Sequence, residues 1–230
     1  MVLNERQEGI ETYLREHKRA TVHQLAARFF VSEMTVRRDL REMEKAGYLH
    51  RYNGGATYRQ EGEVLPFDAR RLLHAEEKET IARAVRPYLR DGISVFVDSS
   101  STCIYVVPIL AEYRDIRIVT NSLPVCMAAG EYHLPCLLSG GDCYERDMCT
   151  VGDAAIAFLQ TLNVDVAFFS SQAIADDGRV TDGDAAQTAV RRVVLGNCRQ
   201  SVLLMDESKR HHTCLYTLCR AEDLDEIVYL

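Results

Sequence analysis

Apolar residues recur at helical spacing early in the chain and later gather into short runs separated by helical stretches. Between Arg6 and His17, Ile10, Tyr13 and Leu14 supply the inner face of a first helix. Thr21 followed by Gln24 forms a capping box, and Val22, Leu25, Ala26 and Phe29 continue at helical spacing, which predicts a second. Ser32 is placed to cap a third, in which Val36, Leu40 and Met43 share one stripe while Glu33, Thr35, Arg37, Arg38 and Arg41 take the other faces. Phe30-Val31-Ser32 leaves room only for a tight turn between them. The run from Gly47 to Gly55 then alternates and meets Asn53-Gly54, a strong hairpin signal.

Two capped helices joined so closely, the second arginine-rich and followed by a hairpin, describe a winged helix-turn-helix. That architecture predicts double-stranded operator DNA as a partner. Ser32, Thr35, Arg37, Arg38 and Arg41 are the candidate contacts on the second helix of the motif, with Arg51 and His50 on the wing against the sugar-phosphate backbone. The expected domain covers residues 1–57. Periodicity is lost over residues 58–74, which include Gly62 and Pro66 and read as a linker.

From residue 75 to residue 230 the pattern is different. A helix through Ile81, Ala82 and Val85, ending near Asp91-Gly92, leads to apolar runs at residues 93–97, 116–120, 134–138, 164–169 and 201–205. Helical stretches near 102–112, 122–130, 151–162 and 184–196 alternate with them. This is the grammar of an α/β domain with a mainly parallel sheet, whose ligands bind beyond the carboxyl ends of the strands. The strand ends read Asp98-Ser99-Ser100-Ser101-Thr102, Asn121-Ser122, Gly140-Gly141 and Asp206 through Lys209. Hydroxyls, backbone N–H groups at a helix start and an ammonium suit a phosphate, and a carboxylate suits sugar hydroxyls. The expected ligand is a small phosphorylated polyol, with no cofactor.

Charge divides the chain in the same place. The net charge of −7 is unusual for a DNA binder, but residues 1–60 hold 11 Lys and Arg against 8 Asp and Glu, and the remainder 16 against 26. Positive potential therefore belongs to the N-terminal part. The eight cysteines form no Cys-x-x-Cys pair and sit mostly in apolar runs, as reduced buried thiols do. His211-His212-x-Cys214 with Cys219 fits no common zinc spacing, so no metal is expected. No apolar run approaches a membrane span and no leader pattern opens the chain, so a cytoplasmic protein with no membrane partner is expected.

Val31-Ser32-x-x-Thr35-Val36-Arg37-Arg38-Asp39-Leu40, then Gly47-Tyr48-Leu49-x-Arg51 and Gly54-Gly55-Ala56, resemble the winged helix-turn-helix of the DeoR family of bacterial transcriptional regulators. Asp98 to Thr102, Thr120-Asn121-Ser122, Gly140-Gly141, Gly152, Gly178 to Thr181 and Asp206-x-Ser208-Lys209 are similar in order and spacing to the same family's sensor domain. The resemblance implies a ribose-phosphate isomerase or CoA-transferase-like fold and a sugar-phosphate effector. It also implies that Ser101, Thr102 and Lys209 hold the phosphate while Asp98, Asn121 and Gly141 line the pocket. The chain departs from the family at Ser100, where glycine is usual, at Gln187, where glutamate precedes Arg191-Arg192, and at Arg210, where an aromatic residue commonly follows the lysine. Ser170-Ser171-Gln172-Ala173 also lacks glycines often found there.

The expected function is therefore a repressor of sugar or carbohydrate genes, acting as a homodimer or homotetramer because one helix-turn-helix reads too few base pairs. It is expected not to be an enzyme. The alternative is a sugar-phosphate isomerase-like enzyme with a nucleic-acid-binding appendage, using Asp98 or Asp206 as general base. Gln187 removes a further carboxylate that could serve.

Overall fold

A computed structural model describes residues 3–58 and 67–229. Residues 59–66 of the expected linker lie outside the described residues. The chain forms two compact units, Met1–Leu73 and His74–Leu230.

The first unit contains α1 (Glu5–His17), β1 (Arg19–Thr21), α2 (Val22–Phe29), α3 (Glu33–Lys45), β2 (Leu49–Tyr52), β3 (Gly55–Tyr58) and α4 (Phe67–Leu72). The capping signals act as the sequence suggests. Thr21 Oγ1 accepts the Gln24 N–H at 3.2 Å while Gln24 Oε1 accepts the Thr21 N–H at 2.8 Å, and the Ser32 hydroxyl accepts the Thr35 N–H at 3.1 Å. Ile10, Leu14, Leu25, Val36, Leu40, Met43 and Leu49 form one core. The hairpin at Asn53-Gly54 pairs β2 with β3, and β1 adds to the other edge of β3, a strand too short to be visible in the sequence pattern. Arg6 clamps the buried Asp39 with Nε at 2.6 Å and Nη2 at 3.1 Å, tying α1 to α3.

The second unit is built on α5 (Ala75–Arg83), β4 (Ser94–Val97), α6 (Val107–Leu110), β5 (Arg117–Thr120), α7 (Leu123–Glu131) and β6 (Cys136–Leu138). It continues through β7 (Asp142–Tyr144), β8 (Cys149–Val151), α8 (Asp153–Gln160), β9 (Val164–Phe169), β10 (Ala173–Ile174) and β11 (Arg179–Asp182). It ends with α9 (Ala185–Asn197), β12 (Cys198–Met205), β13 (Tyr216–Arg220) and β14 (Glu226–Tyr229). Six strands form one sheet in the order β14-β12-β9-β4-β5-β6, every neighbouring pair parallel. Phe96, Val119 and Ala167 pack with Ala155, Leu159, Val190 and Val194 of α8 and α9. Their alternates Val95, Val97, Ile118, Val166 and Phe168 point to the other face and are equally buried, as in a sheet covered on both sides.

Two serine–aspartate clamps pin this sheet. Ser94 gives its N–H and hydroxyl to Asp165 at 2.9 and 2.8 Å, and Ser201 does the same to Asp225 at 2.7 Å for both. The backbone N–H first, then the hydroxyl, hold both carboxyls below the usual carboxylate range.

The helix expected over 102–112 is instead a 3-10 turn at Cys103–Val106 followed by the four-residue α6. Pro108 lacks an N–H and fits only the first turn of a helix, so regular α geometry starts there. Pro87 acts similarly beyond α5, where a 3-10 turn at Arg86–Tyr88 replaces the expected continuous helix.

Candidate functional site

In the first unit, the side chains of α3 sort by face. Val36, Asp39, Leu40 and Met43 are buried. At about 100° per residue, Met34, Arg38, Arg41 and Lys45 fall within an arc of roughly 60° on the opposite side, and all four are exposed. Arg38, Arg41 and Lys45 have no side-chain partner among the described residues, whereas Arg37 is paired with Glu33 at 2.8 Å. Ser32 and Thr35 share a hydrogen bond of 2.9 Å at the start of the helix. Arg51 on the wing lies 3.6 Å from Glu44 and its N–H donates to the same carboxylate. Met34 and Lys45 were not among the residues the sequence singled out, although their positions on the outward stripe follow from its period.

In the second unit, the ends of β12, β9, β4 and β5 bring most of the remaining candidates together. Asp98 is 1% exposed and both its oxygens accept Arg191 Nε at 3.2 Å. Its Oδ2 also accepts the Ser170 N–H at 3.3 Å. Arg191, 5% exposed, reaches Asp182 at 2.7 Å and Gln187 Oε1 at 3.0 Å. Burial works against the Arg191 charge, but Asp98 and Asp182 outweigh it and hold the guanidinium above its usual pKa.

Gln187 joins this network to its neighbours. Its Oε1 accepts the Ser99 hydroxyl at 3.2 Å and its amide donates to the buried Asp147 at 2.7 Å. An ionised glutamate there could not donate to Asp147, so glutamine matches its surroundings.

The phosphate candidates stand beside this network. Lys209 Nζ donates to the Ser170 hydroxyl at 2.9 Å and lies 3.7 Å from Asp206. The buried Lys78 of α5 donates to the Ser101 hydroxyl at 3.3 Å. Burial pushes the Asp206 carboxyl up, but Lys209, the Ser208 hydroxyl and Lys78 pull it down further, leaving it below the usual range. Both ammonium groups thus act on one carboxylate. The Thr102 hydroxyl and Asn121 Oδ1 are buried with no hydrogen-bond partner among the described residues. The Asn121 amide is oriented by donation to the Thr150 carbonyl at 3.1 Å.

Other candidates have work inside the fold. The Ser122 hydroxyl accepts the Val125 N–H at the start of α7. Ser100 Oγ accepts the Cys103 N–H at 3.1 Å, and its backbone is not in the left-handed region, so serine in place of glycine is not strained. Because only a short 3-10 turn follows, little helix dipole gathers at Asp98–Thr102. Gly140 and Gly141 lie at the exposed end of β6. A Cβ on Gly141, φ 120°, would stand 2.3 Å from the Val151 carbonyl oxygen, so packing against β8 requires this glycine. Among the described residues no group of three or more His, Cys, Asp or Glu side chains is placed to hold a metal, and His211 pairs with Asp176.

Residues 6–61 match the family model of the DeoR-like helix-turn-helix domain, and residues 73–229 that of the DeoR C terminal sensor domain. The chain is 31% identical over 229 residues to the L-fucose operon activator of Escherichia coli K12, covering 98% of this chain and 93% of that protein. It is 29% identical over 212 residues to the glycerol-3-phosphate regulon repressor of the same organism, covering 91% and 83%. Among solved structures it is similar to a ribose 5-phosphate isomerase from Plasmodium falciparum, at 16% identity and a TM-score of 0.44 over 60% of this chain and 53% of that one.

Proposed function

The chain belongs to the DeoR family of transcriptional regulators, and on that premise we propose how it acts. It is a repressor of carbohydrate genes that holds operator DNA as a homodimer or homotetramer in the cytoplasm and releases it when a small phosphorylated sugar fills the strand-end crevice. Among the described residues no helix is long and apolar enough to cross a membrane.

The observation that carries the effector reading is the pair of orphaned buried groups, Thr102 Oγ1 and Asn121 Oδ1, at the ends of adjacent strands. Buried polar groups are almost always paired, and an unmet one costs about 1–3 kcal/mol. A polyol phosphate answers both: a sugar hydroxyl donates to Asn121 Oδ1, and the Thr102 hydroxyl donates to a phosphate oxygen. Lys78, Lys209 and the Ser101 hydroxyl supply the positive charge and further donors. Asp98, held by Arg191, shapes the floor rather than touching the ligand.

The same arrangement argues against catalysis. Isomerisation needs a general base poised to take a proton, and the two carboxylates that could serve are engaged. Asp98 is committed to Arg191, and Asp206 to Lys209 and Ser208. On the DNA side, Arg38 and Arg41 contact the duplex directly, Arg37 after exchanging its Glu33 partner, and Ser32, Thr35 and Arg51 meet the phosphate backbone.

A thermal shift of the full-length protein tests the effector reading. Each sugar phosphate is compared with its unphosphorylated sugar and with inorganic phosphate. A ligand specific to the native state raises the melting temperature. The expected result is a rise with one phosphosugar that is lost in Lys209→Ala; no rise with any compound contradicts it.

A further inference from the structure

Met34 is the only uncharged member of the outward stripe that it shares with Arg38, Arg41 and Lys45. It is 77% exposed on the first turn of α3. Four residues earlier Phe30 closes α2 in the left-handed conformation, φ 53° and ψ 41°, and is 93% exposed. Glycine or asparagine adopts that backbone far more readily than phenylalanine. The fold gains almost no burial from either side chain, and at Phe30 it accepts a disfavoured conformation as well. Both stand at the end of the helix whose N-terminal residues reach base edges in a helix-turn-helix.

The major groove presents polar edges throughout and one apolar group, the C5 methyl of thymine. We infer that Met34 packs against a thymine methyl in the operator half-site, with Phe30 closing the contact from the turn. The inference rests on the DNA-binding reading of α3 and assigns it a specificity-determining residue. The cations on the same stripe suit phosphates and the polar edges of bases, neither of which is the thymine methyl. They also disfavour a second copy of this chain as occupant, because a two-fold contact through this stripe would set Arg38, Arg41 and Lys45 against their own copies.

The test uses a duplex recovered by the full-length protein from a random pool, then resynthesised with deoxyuridine at every thymidine, which removes the methyl groups. Burying one methyl is worth about fourfold in affinity. Wild type should lose about that factor per contact on the uracil duplex. Met34→Ala should bind the thymine duplex more weakly and no longer distinguish the two. Arg38→Ala should weaken both duplexes and keep the wild-type ratio. Equal wild-type binding to both duplexes, or a wild-type ratio in Met34→Ala, overturns the inference. If Met34→Ala keeps that ratio but loses oligomeric state in sedimentation, the patch belongs to a second copy. Recovery of no duplex at all removes the DNA-binding reading and this inference with it, a result distinct from binding without discrimination.

Discussion

Replacing Arg191 with methionine keeps an unbranched aliphatic stem and removes the charge that organises the strand-end network. In the native protein its Nε serves both oxygens of Asp98 at 3.2 Å, and a terminal nitrogen serves Asp182 at 2.7 Å. Without it two buried carboxylates lose their cation, and Gln187 loses one donor. Removing one partner of a buried ion pair costs about 3–5 kcal/mol. For a unit of this size each kcal/mol shifts the melting temperature by about 2–4 °C, so a fall of roughly 6–20 °C is expected. Calorimetry on both proteins measures it. A loss under about 1 kcal/mol would refute the idea that Arg191 neutralises a buried acidic pair.

Other substitutions probe separate parts of the argument. Gly141→Ala sets a methyl 2.3 Å from the Val151 carbonyl oxygen at φ 120° and should cost at least about 1–3 kcal/mol in urea unfolding; a neutral effect would show that this turn relaxes freely. Phe30→Gly should hold or raise stability by up to about 1 kcal/mol, since it relieves left-handed strain and forfeits almost no burial, while weakening operator binding; lowered stability would show that the phenylalanine serves the fold. Asp225 is held low by Ser201, so its contribution is complete above about pH 4 and fades as pH falls through the folded value. Ser201→Ala should remove part of that acid-dependent stability, about 0.5 kcal/mol because the carboxylate is exposed. An unchanged acid unfolding profile would count against the clamp.

What could be read from the chain depended on how local the determinants are. Thr21 with Gln24, Ser32, and Asn53-Gly54 act within a few residues of themselves, so the first unit was legible in order and nearly in boundary. The central strands were legible because both faces are buried, which makes near-continuous apolar runs. Edge strand β14, the hairpin β7–β8 and the small sheet β10-β11-β13 carry mixed polarity over two to five residues, and only long-range pairing makes them strands. The carboxyl-end rule gathered Asp98–Thr102, Asn121, Asp206 and Lys209 as candidates because segments just beyond parallel strands share one edge of the sheet. It could not supply Lys78 or the role of Arg191. Both lie on helices, where a lone cation is ordinarily solvated, and only tertiary packing buries them. Nor could it separate Ser122, which caps α7, from hydroxyls left open to a ligand.

The measurement that tests the central claim most directly is linkage between the two units in one sample. Full-length protein is titrated into a fluorescent operator duplex, selected from a random pool, at fixed salt with and without each sugar phosphate. One phosphosugar should weaken DNA binding by about 5- to 150-fold, a coupling of about 1–3 kcal/mol, and operator should weaken phosphosugar binding by the same factor. Lys78→Ala and Lys209→Ala should bind DNA as wild type does and lose the response. Operator affinity indifferent to every phosphosugar, or a full response in both lysine variants, would contradict that claim.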